Sequence, residues 1–152
     1  RCISQIDGWE KEKNNILDNG QITHERSREY ASYIMESIVT GIPYKIGGNV
    51  LNQGLISNLP EDACVEVPCL VDNMGVHPCR IGRLPVQLAA LNMTNINAQL
   101  MTIEAAVTKR KEAIYQAAFL DPHTAAELTM DEIVAMCDEM IQAHGEYMKD
   151  YH

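Results

Sequence analysis

The second half of the chain, from Pro85 to Gly145, is written almost wholly in helical period, which leaves the stretch between Gly41 and Ile81 as the place for strands. Pro85 can sit in the first turn of a long helix. The apolar stripe of that helix runs Leu84, Leu88, Leu91, Ile96, Leu100, Ile103 and Val107. Thr108-Lys109-Arg110-Lys111 bends or breaks it, and Glu112 to Leu120 continues as a further helix that Asp121-Pro122 stops. Asp121 before Pro122 is also helix-start chemistry, so Asp121-Pro122-His123-Thr124 reads as a cap and His123 as structural. Thr129-Met130-Asp131-Glu132 is a complete capping box. It opens a helix with Ile133, Met136, Cys137, Met140 and Ile141 inward, running towards Gly145.

Upstream, Trp9 to Leu17 predicts a short helix stopped by Asp18-Asn19-Gly20, with Gly20 suited to a left-handed terminus. From about His24 a second helix is expected, with Thr23 as N-cap and Tyr30, Ile34 and Ile38 on one stripe widened by Ala31 and Met35. Gly41 and Pro43 end it. Ile42, Tyr44 and Ile46 then alternate as in a strand until Gly47-Gly48, where a bulge or a close backbone approach is expected. After a turn near Asn58-Leu59-Pro60-Glu61-Asp62, Ala63 to Val67 reads as a second strand, with Pro68 at an edge or a break. Asp72-Asn73-Met74-Gly75 is a turn, and a hairpin into Val76 to Ile81 follows. Helices, a few mixed or antiparallel strands, then helices make an α+β domain spanning residues 1–152.

Composition narrows the function. The 152 residues suit one domain with a sizeable core. With 21 acidic against 12 basic residues and a net charge of −9, the chain is no nucleic-acid binder; Lys109-Arg110-Lys111 is a short solvated turn. There is no apolar run long enough for a membrane helix, and the polar stretch Arg1 to Asp18 does not read as a signal peptide. Five cysteines, an odd number, point to free thiols in a reducing, cytoplasmic compartment. Residue 1 is Arg rather than Met, which suggests a fragment or a processed product. A structural zinc on Cys64, Cys69, His77 and Cys79 has suitable ligand types. It lacks a Cys-x-x-Cys pair, and residues 64 and 69, an odd number apart, would face opposite ways on one strand. No metal ligand is therefore assigned in this chain.

Four blocks occur in order along most of the chain: His24-Glu25-Arg26-Ser27-Arg28-Glu29-Tyr30-Ala31; Gly48-Asn49-Val50-Leu51-Asn52-Gln53-Gly54-Leu55-Ile56-Ser57-Asn58-Leu59-Pro60; Val65-Glu66-Val67-Pro68-Cys69-Leu70-Val71-Asp72, continuing to Gly82-Arg83-Leu84-Pro85; and Ala118-Phe119-Leu120-Asp121-Pro122-His123-Thr124-Ala125-Ala126. Together they resemble the C-terminal portion of glycoside hydrolase family 4, closest to its α-galactosidases. The resemblance implies a fold like the C-terminal domain of lactate and malate dehydrogenases, with long helices on a small mixed or antiparallel sheet. It implies an enzyme dependent on NAD and a divalent metal, manganese in most members. That enzyme oxidises the sugar at C3, removes the C2 proton, eliminates the aglycone, adds water and reverses the redox step. It also implies a galactoside substrate and a homo-oligomer. The family's NAD-binding domain and metal-binding Cys and His lie upstream of this region, and no Gly-x-Gly-x-x-Gly fingerprint follows a strand here. The chain alone is expected to be inactive and to hold neither cofactor fully. α-Glucosidase and α-galacturonidase specificities, or a self-associating interaction module, stand as alternatives.

By the same resemblance Tyr30 is the candidate base, in a Glu-Tyr context like that of related phospho-glycosidases. A phenol serves as a base only where a cation favours the phenolate, and Arg26, at i−4, would share a helical face with it. Packing of Tyr30 on the apolar stripe is the competing reading. Arg26, Asn49 and Asn52 are the candidate sugar contacts, with Gln53 beside them, because guanidinium and amide groups match sugar hydroxyls. Turn formation by the Asn residues is the alternative. Glu66 is expected to face solvent by strand alternation.

Overall fold

The computed structural model describes residues 1–20 and 26–152. In chain order the elements are α1 (Cys2–Asn19), α2 (Ala31–Thr40), β1 (Tyr44–Leu51), β2 (Cys64–Asp72), β3 (Gly75–Pro78), α3 (Val86–Thr108), α4 (Lys111–Leu120), α5 (Pro122–Glu127), α6 (Met130–His144) and a 3₁₀ turn, Gly145–Met148. This is the expected α+β arrangement, and the sheet proves antiparallel throughout, in the order β1-β2-β3.

Strand alternation gives the sheet two unlike faces. On β2, Val65, Val67, Cys69 and Val71 are buried, while Cys64, Glu66, Pro68 and Leu70 face out. The inner face meets Ile56, Leu59 and Ala63 from the 52–62 loop and Ala89 and Ile96 from α3, with Ile46, Val50, Met93 and Leu100 packed around them. α2 lies against β2 and β1 near Val71 and Tyr44. α3 packs along α4, and α4 packs against α6.

Gly47-Gly48 does not form a bulge. β1 pairs one-to-one with β2 from Tyr44↔Val71 to Leu51↔Cys64. The glycines are needed for close approach instead: a Cβ on Gly48 would lie 2.7 Å from Cys69 Sγ, and one on Gly47 2.9 Å from Glu66 Oε1. Pro68 neither ends its strand nor lies at an edge, for β2 is the central strand. The Pro68 carbonyl accepts from Cys79 N–H at 2.8 Å, just beyond the last β2–β3 pair, Cys69↔Pro78. The missing N–H points to that same side, where β3 has already ended. β3 stops at Pro78 rather than Ile81, and Ile42 precedes β1.

Several helical expectations also shift. α1 begins at Cys2, well before Trp9, and ends at left-handed Gly20 as read. α2 starts at Ala31; the expected N-cap Thr23 and His24 lie outside the described residues, and Arg26 to Glu29 are not helical. Its sheet-facing residues are Tyr33, Ile34 and Ser37, while Met35 and Ile38 are exposed. Pro85 is the N-cap of α3 rather than a first-turn residue. Leu88, Leu91, Ile103 and Val107 of its expected stripe are exposed, and the sheet-facing row is Ala89, Met93, Ile96 and Leu100. α3 carries apolar residues all round, so period alone did not select the buried face. Left-handed Lys109, φ 60°, breaks α3 from α4. The chain end is pinned there, with His152 N–H bonded to Lys109 O and Lys109 Nζ 4.8 Å from the Tyr151 ring. Asp121 caps α5 with Pro122 at its first position, and the Thr129–Glu132 capping box opens α6. On α6 only Ile133 and Cys137 are buried; Met136 and Met140 are exposed.

Candidate functional site

The candidate residues divide between a buried loop and an open corner. Asn52 belongs to the loop. Its side chain is fully buried, its Nδ2 donates towards the carbonyls of Ile56, Leu59 and Pro60 at 2.9 Å each, and its Oδ1 accepts from Ile56 N–H at 2.7 Å. That spends the amide on the loop and leaves no donor for a sugar, so the expectation of a substrate contact is corrected. Gln53 takes a left-handed backbone, φ 42°, and bonds back to Glu61 O. Asn49 differs. It sits on the outer face of β1, directly opposite Glu66 of β2, and both are exposed. Glu66 thus faces outward, as alternation required.

The open corner forms where the segment before α2 meets β1. Tyr30 has its backbone at the start of α2 and its side chain 49% exposed, so it is not a core residue. It borders a 340 Å³ hollow with Tyr44, Lys45, Gly47, Glu66 and Pro68. Arg26 does not share a helical face with Tyr30, because the chain is not helical there. Arg26 Nη1 pairs with Glu36 Oε2 at 2.5 Å, and its guanidinium lies 4.6 Å from the Tyr33 ring centroid. The hydrogen bond to Glu36 is the main cause that raises Arg26 above its ordinary pKa. Tyr33 in turn stacks on Tyr44, with centroids 5.1 Å apart and 16° between planes. Arg26, Tyr33, Glu36 and Tyr44 border a second hollow of 330 Å³. Tyr44 lines both hollows, and each lies at the low end of ligand-pocket size. Sequence reasoning missed Tyr33, Glu36 and Tyr44. The available signal was the bunching of Tyr30, Tyr33 and Tyr44 in a chain with only 5% aromatic residues.

Other features offer less chemistry. A broader hollow of 560 Å³ along α3 has Asp121 as its only ionisable lining residue, and Asp121 is engaged in capping α5. Burial, then Asp138, pushes the Cys137 thiol up, away from thiolate chemistry. Cys64 faces out and Cys69 in, and among the described residues no three His, Cys, Asp or Glu side chains gather into a cation site. No parallel strand–glycine turn–helix unit exists among the described residues to cradle a dinucleotide. The described residues therefore fit neither NAD nor a catalytic metal.

The family model for the "Family 4 glycosyl hydrolase C-terminal domain" matches residues 2–124. The chain belongs to glycosyl hydrolase family 4. This family 4 domain is 58% identical, over 99% of its length, to an alpha-galactosidase of Bacillus subtilis (strain 168), and covers 35% of that protein. It superimposes on a 6-phospho-alpha-glucosidase from gut microorganisms, in complex with NAD and glucose-6-phosphate, with a TM-score of 0.70 and 27% identity, over 79% of this chain and 26% of that one. A second such enzyme, in complex with NAD and Mn2+, shares the fold at a TM-score of 0.71 and 20% identity, over 93% of this chain and 32% of that one. The family 4 chain thus spans about a third of the length of the proteins it matches.

Proposed function

We propose that residues 1–152 form a single domain, the C-terminal part of an NAD- and divalent-metal-dependent α-galactosidase acting in the cytoplasm. The 58% identity with an alpha-galactosidase across nearly the whole chain carries this reading and favours galactosides over glucosides or galacturonides. NAD and manganese accompany relatives that share the fold, and both groups would be held outside this chain. By itself the chain is inactive. Its contribution is to the sugar: Tyr30 takes up the C2 proton, and Arg26 and Asn49 contact sugar hydroxyls. The half-exposed Tyr30 ring beside a hollow with Glu66 favours the base over the core reading. The exposed apolar residues of α1 and α3 support a homo-oligomer as the working form.

The test is a specificity panel on the longer parent protein: nitrophenyl α-galactoside, α-glucoside and α-galacturonide, each with and without NAD and manganese. We expect turnover of the galactoside alone, lost when either NAD or manganese is withheld. Full activity after chelation and NAD removal would overturn the reading.

A further inference from the structure

We propose that Tyr33, Tyr44 and Arg26 form a saccharide subsite for the leaving-group sugar of a disaccharide α-galactoside, an inference that rests on the α-galactosidase reading. Three of the six tyrosines in the sequence, Tyr30, Tyr33 and Tyr44, gather at one corner. Arg26 lies over the Tyr33 ring, and Tyr33 stacks on Tyr44. A tyrosine face suits the C–H side of a pyranose, and its hydroxyl tip suits a sugar hydroxyl.

The polar groups at this corner match a neutral sugar. A guanidinium has five N–H donors, and Glu36 takes only part of them. Arg26 and Glu36 side by side supply both donors and acceptors, as hydroxyls require. Because Glu36 neutralises Arg26, the corner has no net charge to attract a phosphorylated sugar. The Tyr33–Tyr44 stack also packs α2 on the sheet, but an exposed ion pair contributes little to stability, so packing does not account for Arg26 and Glu36 beside it. The two hollows, 340 and 330 Å³, share Tyr44 in their linings. One is lined by Tyr30, where the proposed function puts the reacting sugar; the other, which shares Tyr44 with it, would take the second sugar.

The experiment is an NMR titration of the 152-residue chain with melibiose, D-glucose, D-galactose and glucose 6-phosphate. We expect melibiose and D-glucose to shift the Tyr33 and Tyr44 ring resonances saturably, with glucose 6-phosphate binding no tighter than glucose. Tyr44→Ala should abolish the shifts. Should that strand variant fail to fold, Arg26→Gln, at an exposed position outside the helices, should still weaken binding by roughly tenfold. Absence of saturable shifts with melibiose and glucose would overturn the subsite, as would unchanged affinity in Arg26→Gln. A response to D-galactose alone would overturn the leaving-group assignment. The titration needs neither cofactor nor turnover. Loss of binding beside an active parent sinks only the subsite, and binding beside a parent inactive on galactosides sinks only the activity reading.

Discussion

Asn52→Ala would strip the 52–60 loop of four hydrogen bonds in one step and leave the buried Leu59 carbonyl and Ile56 N–H without a partner, while the Ile56 and Pro60 carbonyls keep the Leu59 and Ala63 N–H donors. The expected cost is about 3 kcal/mol, read as a lowered urea midpoint with an unchanged slope. Gly48→Ala should cost about 1–3 kcal/mol, because its new Cβ would meet Cys69 Sγ. Adding Cys69→Ala should return part of that loss, a non-additivity that marks direct contact. Tyr30→Phe in the parent enzyme keeps the ring and removes the proposed proton acceptor. Its turnover should fall roughly 10² to 10⁴-fold with folding intact, and deuterium at C2 should slow the variant more than the parent. Near-full activity would return Tyr30 to a packing role. Asn49 and Asn52 show what was legible at this scale. The sequence marked both amides beside the glycine bend, but only burial separates an Asn that tethers a loop from one that faces out, and burial depends on chain segments that close over it. The stack of Arg26, Tyr33 and Tyr44 was illegible for a related reason: it joins a non-helical segment, a helix and a strand that only the fold brings together.

Local hydrogen-bonding chemistry made several element ends readable. Gly20 and Gly41 take the left-handed conformation that ends α1 and α2, Asp121 caps α5, and Thr129 with Glu132 boxes α6. Thr129→Ala should destabilise the domain by about 1 kcal/mol. Asp121 is held below the usual carboxylate range, first by Thr124 N–H and then by the Thr124 hydroxyl; Glu132 is held down first by Thr129 N–H. Depressed carboxylates contribute stability above their unfolded values near ~4, and lose it as the pH falls through the folded values. The thermal midpoint should therefore drop as the pH is taken from 5 to 2. Asp121→Asn, which still caps but does not titrate, should make the drop shallower; an identical pH profile would contradict the assignment. What local chemistry did not supply was the buried face of each helix. In α3, Leu91, Ile103 and Val107 outweigh Ala89 in any hydrophobic count, yet the smaller side chain lies against the sheet, where a helix must come close.

As a whole the chain exposes 11,660 Å² of surface, where a compact monomer of its mass would expose about 7,700 Å². The excess is on the scale of an obligate interface. Ile3, Ile6, Trp9 and Leu17 on α1 and Leu91, Ile103 and Val107 on α3 make up part of it, and α1 buries none of its residues. Sedimentation at high concentration should show self-association, reduced in a Leu91→Gln, Ile103→Gln, Val107→Gln chain; a monomer throughout would count against it. The proposal that this chain is the C-terminal third of an α-galactosidase can be checked by substitution. Residues 1–152 are exchanged for the matching third of the Bacillus subtilis alpha-galactosidase, and hydrolysis of nitrophenyl α-galactoside is measured with NAD and manganese present. We expect turnover by the folded chimaera and none by the 152-residue chain alone; a folded but inactive chimaera, or turnover by the chain alone, would overturn the proposal.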